Sequence, residues 1–121
     1  MVRRDGRVLV LRRPSEGLLG GLWDFPSVPL SAGTSPGAAL TRRLAEGFGL
    51  ECRVGEEVRV VRHAFSHFRL RLAIHGASWR AGEVRGPGAH RWAEPAELGD
   101  LAFSAYLRRV IDEELSPRNA R

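Results

Sequence analysis

Thr41-Arg42-Arg43-Leu44-Ala45-Glu46-Gly47-Phe48-Gly49-Leu50 is the stretch on which the fold turns. Ala38, Leu40 or Thr41, Leu44, Ala45 and Phe48 recur at helical spacing, and Gly49 supplies the stop. Ser35 or Thr34 can cap a helix that begins at Pro36, a residue well tolerated in the first turn. The spacing therefore predicts one amphipathic helix from Pro36 to the residue before Gly49. Its polar positions hold two cations and one acid, Arg42, Arg43 and Glu46.

Upstream, Arg4-Asp5-Gly6-Arg7 is a strong hairpin turn signal leading into the strand Val8-Leu9-Val10-Leu11. Few residues precede the turn, so the hairpin is either a stub or a piece of a longer chain whose earlier residues complete the sheet. Arg12-Arg13-Pro14 ends regular structure, and Ser15 to Pro36 reads as loop with short extended pieces, its aromatics Trp23 and Phe25 folded back on the body. Downstream the period changes to two. Glu57 to Val61 and Phe65 to Ala73 read as strands, with Phe68, Leu70, Leu72 and Ile74 inward and Arg69 and Arg71 outward. Ala77 to Arg80 and Ala89 to Trp92 read as two further short strands separated by the Gly86-Pro87-Gly88 turn, and Pro95 opens another turn. Ser104 to Leu115 reads as a closing helix with Tyr106, Leu107, Val110, Ile111 and Leu115 inward. One domain over residues 1–115 with a basic tail at 116–121 is expected.

At 121 residues and 43% hydrophobic, the chain has room for one core. Nineteen basic residues, all arginine, against 14 acids give a formal charge of +5. Arginine grips phosphate through a planar, permanently charged fork, which favours a polyanionic partner; biased genomic usage gives the same lysine-free composition. With Cys52 as the one cysteine, neither an internal disulfide nor a four-thiolate iron–sulfur cluster can form. No segment has the length and apolarity of a secretory core or a membrane-spanning helix, so a soluble, cytoplasmic monomer without membrane contact is expected.

The densest cluster of chemistry is His63-Ala64-Phe65-Ser66-His67, with two imidazoles, a hydroxyl and an aromatic ring within one strand length. Histidines on a half-buried strand commonly pack or meet solvent, and a serine at a strand end commonly bonds its own backbone. Three tryptophans, Trp23, Trp79 and Trp92, read as core and loop anchors, and His75 and His90 lack ligand-like spacing.

Anchored on Gly49, the segment Val28 to Leu50 resembles the Nudix signature in part. Arg42 matches the motif arginine, Leu44 and Leu50 its apolar positions, and Glu46 one of three closely spaced glutamates. The other two fall on Arg43 and Gly47, and the earlier glycine and glutamate on Val28 and Thr34. Hydrolysis of a pyrophosphate in that family requires hard cations held by several carboxylate oxygens. The resemblance therefore implies an α+β Nudix-like fold, a mixed β-sheet packed with two helices, whose helix is degenerate at Arg42, Arg43 and Glu46, with no catalytic residue, no metal and no cofactor expected in this chain.

A second resemblance runs in order along most of the chain. Arg12-Arg13-Pro14, then Gly17 to Pro26, then His63 to Leu70, then Arg91-Trp92, Leu101-Ala102-Phe103 and Arg108-Arg109 are similar to the C-terminal domain of MutY-type adenine DNA glycosylases. That family implies an accessory module that checks for 8-oxoguanine opposite adenine in duplex DNA, working with a catalytic glycosylase domain in the same or an adjacent polypeptide. It places Ser66, His67, Phe65 and His63 in the base-recognition segment. Guanine shows a bare N7 acceptor where 8-oxoguanine shows an N7–H donor and a C8 carbonyl, and a serine hydroxyl can accept from the first and donate to the second. A rival expectation is a small Nudix hydrolase of nucleoside diphosphate derivatives with non-standard ligands, in which Glu16, Asp24 or Glu94 converge to replace the lost acids. A pseudoenzyme that binds protein partners is a third.

Overall fold

The computed structural model describes residues 1–14, 20–86 and 88–115. Glu16, the Gly17-Leu18-Leu19 run, Pro87 and the expected tail at 116–121 lie outside them. The elements in chain order are β1 (Val2–Arg4), β2 (Arg7–Arg12), β3 (Trp23–Asp24), α1 (Pro36–Phe48), β4 (Glu51–Ala64), β5 (Arg69–Ala81), β6 (His90–Ala93), a 3-10 helix (Pro95–Asp100) and α2 (Ala105–Glu114). Strands with two main helices make the chain α+β. Its contacts group into two compact units, Met1–Val2 with Ser27–Arg85, and Arg3–Pro26 with Gly86–Arg121.

The first unit is built on the β4–β5 hairpin. The two strands pair antiparallel from Glu51↔Ala81 to Ala64↔Arg69, with irregularities at Glu51/Cys52, Val54/Glu57 and Glu57/Arg59. From Arg59↔Ile74 to Ala64↔Arg69 the register is unbroken. The sequence suggested a separate strand at Ala77 to Arg80, but β5 runs through it. Gly76 lies between those two pieces, where the bulged β4 comes close. A Cβ on Gly55 would stand 3.3 Å from the Gly76 carbonyl oxygen, the close backbone approach that glycine in a strand permits. Met1 donates its amino group to the His75 carbonyl at 2.7 Å and accepts from the Ala77 N–H at 2.9 Å. Bonding to residues on either side of one partner is the parallel pattern, so this unit mixes parallel and antiparallel pairing.

Helix α1 packs on β4. Ser35 is its N-cap residue, Pro36 opens the first turn, and Gly49 closes it at φ 71°. The Gly49 and Leu50 N–H groups return to the Ala45 and Leu44 carbonyls, satisfying two of the carbonyls that a helix end leaves orphaned. Leu44 is buried, as are Leu50 and Cys52 just beyond the helix. Ala38 and Ala45 are exposed, contrary to the predicted inward set, and of the alternatives Leu40 and Thr41 it is Leu40 that turns inward. Leu44 is the buried residue of the helix, and the half-buried Leu40, Gly47 and Phe48 line the same stripe at i, i+7 and i+8 around it.

The second unit centres on β2, whose Val8, Leu9 and Val10 are consecutive and all but fully buried. A strand covered on both faces reads as a continuous apolar run. Asp5 and Gly6 both take positive φ, 50° and 79°, and Arg4 pairs with Arg7, the tight hairpin turn that Asp-Gly favours. Strand β6 pairs antiparallel along Val8 to Leu11, and β3 pairs at Leu11 and Arg12. The Trp23 N–H donates to the Ala102 carbonyl at 2.8 Å, and Phe25 stacks on Phe103 at 5.7 Å. The turn expected at Pro95 is a full 3-10 helix with Leu98 buried inside. Leu107, Val110 and Ile111 of α2, with Leu115, complete this core, each buried aliphatic contributing about 1.5–3 kcal/mol. Arg108 ties the two helices by donating to the Leu98 carbonyl at 2.9 Å and to that of Leu101.

Candidate functional site: a four-residue hairpin tip and a helix without its acids

The tip of the first unit is set by one hydrogen bond. After the last rung, Ala64↔Arg69, the Phe65 N–H donates to the Phe68 carbonyl at 2.8 Å, so Phe65, Ser66, His67 and Phe68 close the hairpin. The Phe65 and Phe68 rings stack at 4.6 Å with 26° between planes. His63 meets the Phe65 ring edge-on at 4.6 Å and 73°. A short ladder His63–Phe65–Phe68 thus stiffens the turn. Ser66 and His67 stand exposed at its apex, and among the described residues their side chains make no hydrogen bond. A free hydroxyl and a free imidazole side by side can each donate and accept.

The sequence placed Phe68 among the inward-facing residues, yet it is 46% exposed. It lies in the turn, before β5 begins, so the strand's alternation does not govern it. The other histidine of this hairpin has a structural duty: the His75 Nδ1–H donates to the Gly55 carbonyl at 2.9 Å and braces the bulge. Trp79 donates its indole N–H to the Gly82 carbonyl at 2.9 Å, the anchoring role expected of it.

On α1 the three singled-out side chains are occupied with one another and with the backbone. The Arg42 Nε donates to Glu46 Oε1 at 3.0 Å across one turn, both exposed. Arg43 lays its guanidinium over the Phe48 ring at 4.9 Å and reaches the Ser27 carbonyl at 3.4 Å. It also fills the room beside Gly47: a Cβ there would meet Arg43 Nη1 at 2.5 Å and Cζ at 3.0 Å. A cation sits where the side chain of residue 47 would begin.

Residues 1–113 match the family profile for the NUDIX domain. The chain belongs to the NUDIX family. This NUDIX chain is 31% identical to "CTP pyrophosphohydrolase" of Escherichia coli, over 100% of its own length and 91% of that relative. It is 34% identical to "Putative 8-oxo-dGTP diphosphatase 2" of Mycobacterium tuberculosis, over 81% of this chain and 72% of the relative. It is 33% identical to "Adenine DNA glycosylase" of Rattus norvegicus over 86% of its own length, and spans 21% of that protein. Among solved structures it is similar to the E. coli ORF135 protein, with TM-score 0.74 and 27% identity over 99% of this chain and 87% of that one. A MutT protein from Staphylococcus aureus shares the fold at TM-score 0.72 and 18% identity, over 93% and 88% of the two chains. The α+β Nudix fold expected from the helix is the fold found.

The divalent cations of NUDIX hydrolysis need several hard oxygen ligands at one place. The signature positions of this chain supply one, Glu46, already paired with Arg42, while the Arg43 guanidinium occupies the neighbouring room and repels a cation. Among the described residues no group of three or more His, Cys, Asp or Glu is placed to hold a metal. Of the substitutes named from sequence, Asp24 and Glu94 are engaged by other groups. Asp24 accepts from Arg13 at 2.6 and 3.0 Å and from the Phe25 N–H at 2.7 Å. Glu94 lies 3.7 Å from Arg7. Glu16 is outside the described residues. The donor set on α1 does not fit the metal that the family implies.

No helix of the described residues is long and apolar enough to cross a membrane. Cys52, the one cysteine, is buried, and burial pushes its thiol up from its usual value.

Proposed function

We propose that this NUDIX domain is a recognition module that reads 8-oxoguanine in duplex DNA through the Phe65–Phe68 tip and does not itself cleave a phosphoanhydride. The observation that carries the reading is the exchange on α1: Gly47 leaves room, and the Arg43 guanidinium takes it, at the positions where the signature has two glutamates. The exposed Ser66 and His67 on a stacked aromatic base supply the complementary feature, a rigid donor–acceptor pair at the end of a hairpin. Similarity to adenine DNA glycosylases over most of this chain supports the same reading. Their lesion-checking partner domain is where the recognition segment is expected.

A second reading is a small hydrolase of nucleoside di- or triphosphates. It is favoured by coverage: the two hydrolases named above match over 91% and 72% of their own lengths, against 21% for the rat glycosylase. On similarity this reading is the better supported of the two, and the chemistry of α1 is what favours the first. With magnesium or manganese, the full chain is expected to leave CTP and 8-oxo-dGTP intact, and to bind a duplex carrying 8-oxoguanine opposite adenine more tightly than one carrying guanine. Metal-dependent turnover lost in Glu46→Gln would establish the hydrolase in its place.

A further inference from the structure

The unbroken register behind the tip has a consequence for charge. Arg62 stands directly across from Arg71, and Ala64 across from Arg69. Side chains two apart share a face of a strand, so Arg62, Arg69 and Arg71 lie on one face, with the last of the rungs bordering the turn. All three are exposed. The opposite face carries His63, Val61, Leu70 and Leu72, half-buried, and Ile74, 7% exposed. Because a one-residue slip would expose that apolar set, the register is pinned and the arginines cannot exchange faces. Like charges directly opposite on neighbouring strands are destabilising. Some arginines elsewhere are neutralised by the chain itself: Arg13 by Asp24, Arg42 by Glu46, Arg91 by Glu97. Among the described residues, Arg62, Arg69 and Arg71 have no such partner.

We infer that the Arg62–Arg71 pair with Arg69 is a phosphate-binding face that clamps the backbone of duplex DNA beside the base presented to the tip. Three guanidinium forks, two of them about 7 Å apart along β5, offer bidentate donors to successive phosphate oxygens, and an anion between Arg62 and Arg71 would turn their repulsion into shared attraction. Such contacts orient a nucleic acid without reading its sequence, while the tip ahead of them supplies the base edge. The choice of DNA as the polyanion rests on the recognition reading above.

Fluorescence anisotropy of the full chain on labelled duplexes tests this. Replacing all three with Gln should lower affinity for undamaged and 8-oxoguanine duplexes by the same factor. It should also reduce the slope of log K against log salt by up to about 0.9 per arginine. Arg53→Gln, an exposed arginine of β4 beyond the bulges, should leave both unchanged. Relieving the facing charges should also raise the thermal midpoint of Arg71→Gln slightly. A wild-type salt slope kept by the triple variant, an equal loss in Arg53→Gln, a fallen midpoint, or tighter wild-type binding to phosphatidylserine vesicles or to single-stranded RNA would each overturn the face. If Ser66→Ala leaves the preference for 8-oxoguanine untouched while the triple variant lowers the slope, the recognition reading fails and the phosphate face stands.

Discussion

If the tip reads a base as proposed, Ser66 is the residue on which that reading depends most. Its hydroxyl is exposed at the apex and unclaimed among the described residues, so it reaches a base without first giving up an internal bond. Losing one base-edge contact costs about 1–3 kcal/mol of discrimination, while phosphate-driven affinity hardly changes. Ser66→Ala is therefore expected to lower the 8-oxoguanine over guanine preference by roughly that amount, and the double change with His67→Ala by more; adenine excision opposite the two bases by a fused glycosylase measures it. Both variants at the wild-type ratio would move the reading loop elsewhere. Ser66, His67, Phe65 and His63 were visible in the sequence because their types are unusual together, and the structure draws His63 and Phe65 into one aromatic ladder under the other two. The place of Phe68 in the turn and the facing of Arg62 on Arg71 were not visible. Which residues sit opposite depends on where the turn closes, and a single hydrogen bond from Phe65 to Phe68 decides that.

Among the elements, α1 was the most legible: Pro36 and Gly49 bound it as predicted, and its missing acids were apparent from the motif alone. What the sequence withheld was that Arg43 and Gly47 are a matched pair, one side chain lying in the space the other vacates. Arg43→Glu with Gly47→Glu removes the cation and sets three carboxylates, at 43, 46 and 47, within about one turn. This double variant is expected to bind manganese detectably by calorimetry or paramagnetic broadening where the wild-type chain does not. Gly47→Glu alone should bind far less, since Arg43 then pairs with the new acid. No binding in the double variant would mean that Val28 and Thr34 matter as much as the helix. The 3-10 helix shows the reverse case, an element sequence patterns passed over, because an isolated Pro-Ala-Glu run signals a turn as well as a helix. Its Glu97 accepts from the Glu94 N–H at 3.1 Å and pairs with Arg91. Those contacts, the backbone donor first, hold its carboxyl below the usual glutamate value. A depressed folded pKa contributes stability above the unfolded value and loses it as pH falls through the folded one. Glu97→Gln should therefore lower the thermal midpoint at neutral pH, with the gap to wild type closing on acidification below about pH 4.5. A gap constant from neutral to strongly acid pH would show that packing, not charge, is at work.

For the whole molecule, the class α+β and the family followed from one helix and its exit, whereas strand lengths did not. Three irregularities in the β4–β5 pairing scramble the period-two pattern, so a 14- and a 13-residue strand read as several short ones. The net charge of +5 also understates the local situation, since Arg13, Arg42 and Arg91 are cancelled by acids while, among the described residues, three arginines on one face are not. The parallel rung made by Met1 carries a further consequence. The bond to the His75 carbonyl asks only for a nitrogen-borne hydrogen, which an ordinary peptide amide supplies as well as a terminal ammonium does. That rung is therefore a property of the backbone at residue 1 and not of its charge, so neutralising the amino group by acetylation should leave it in place.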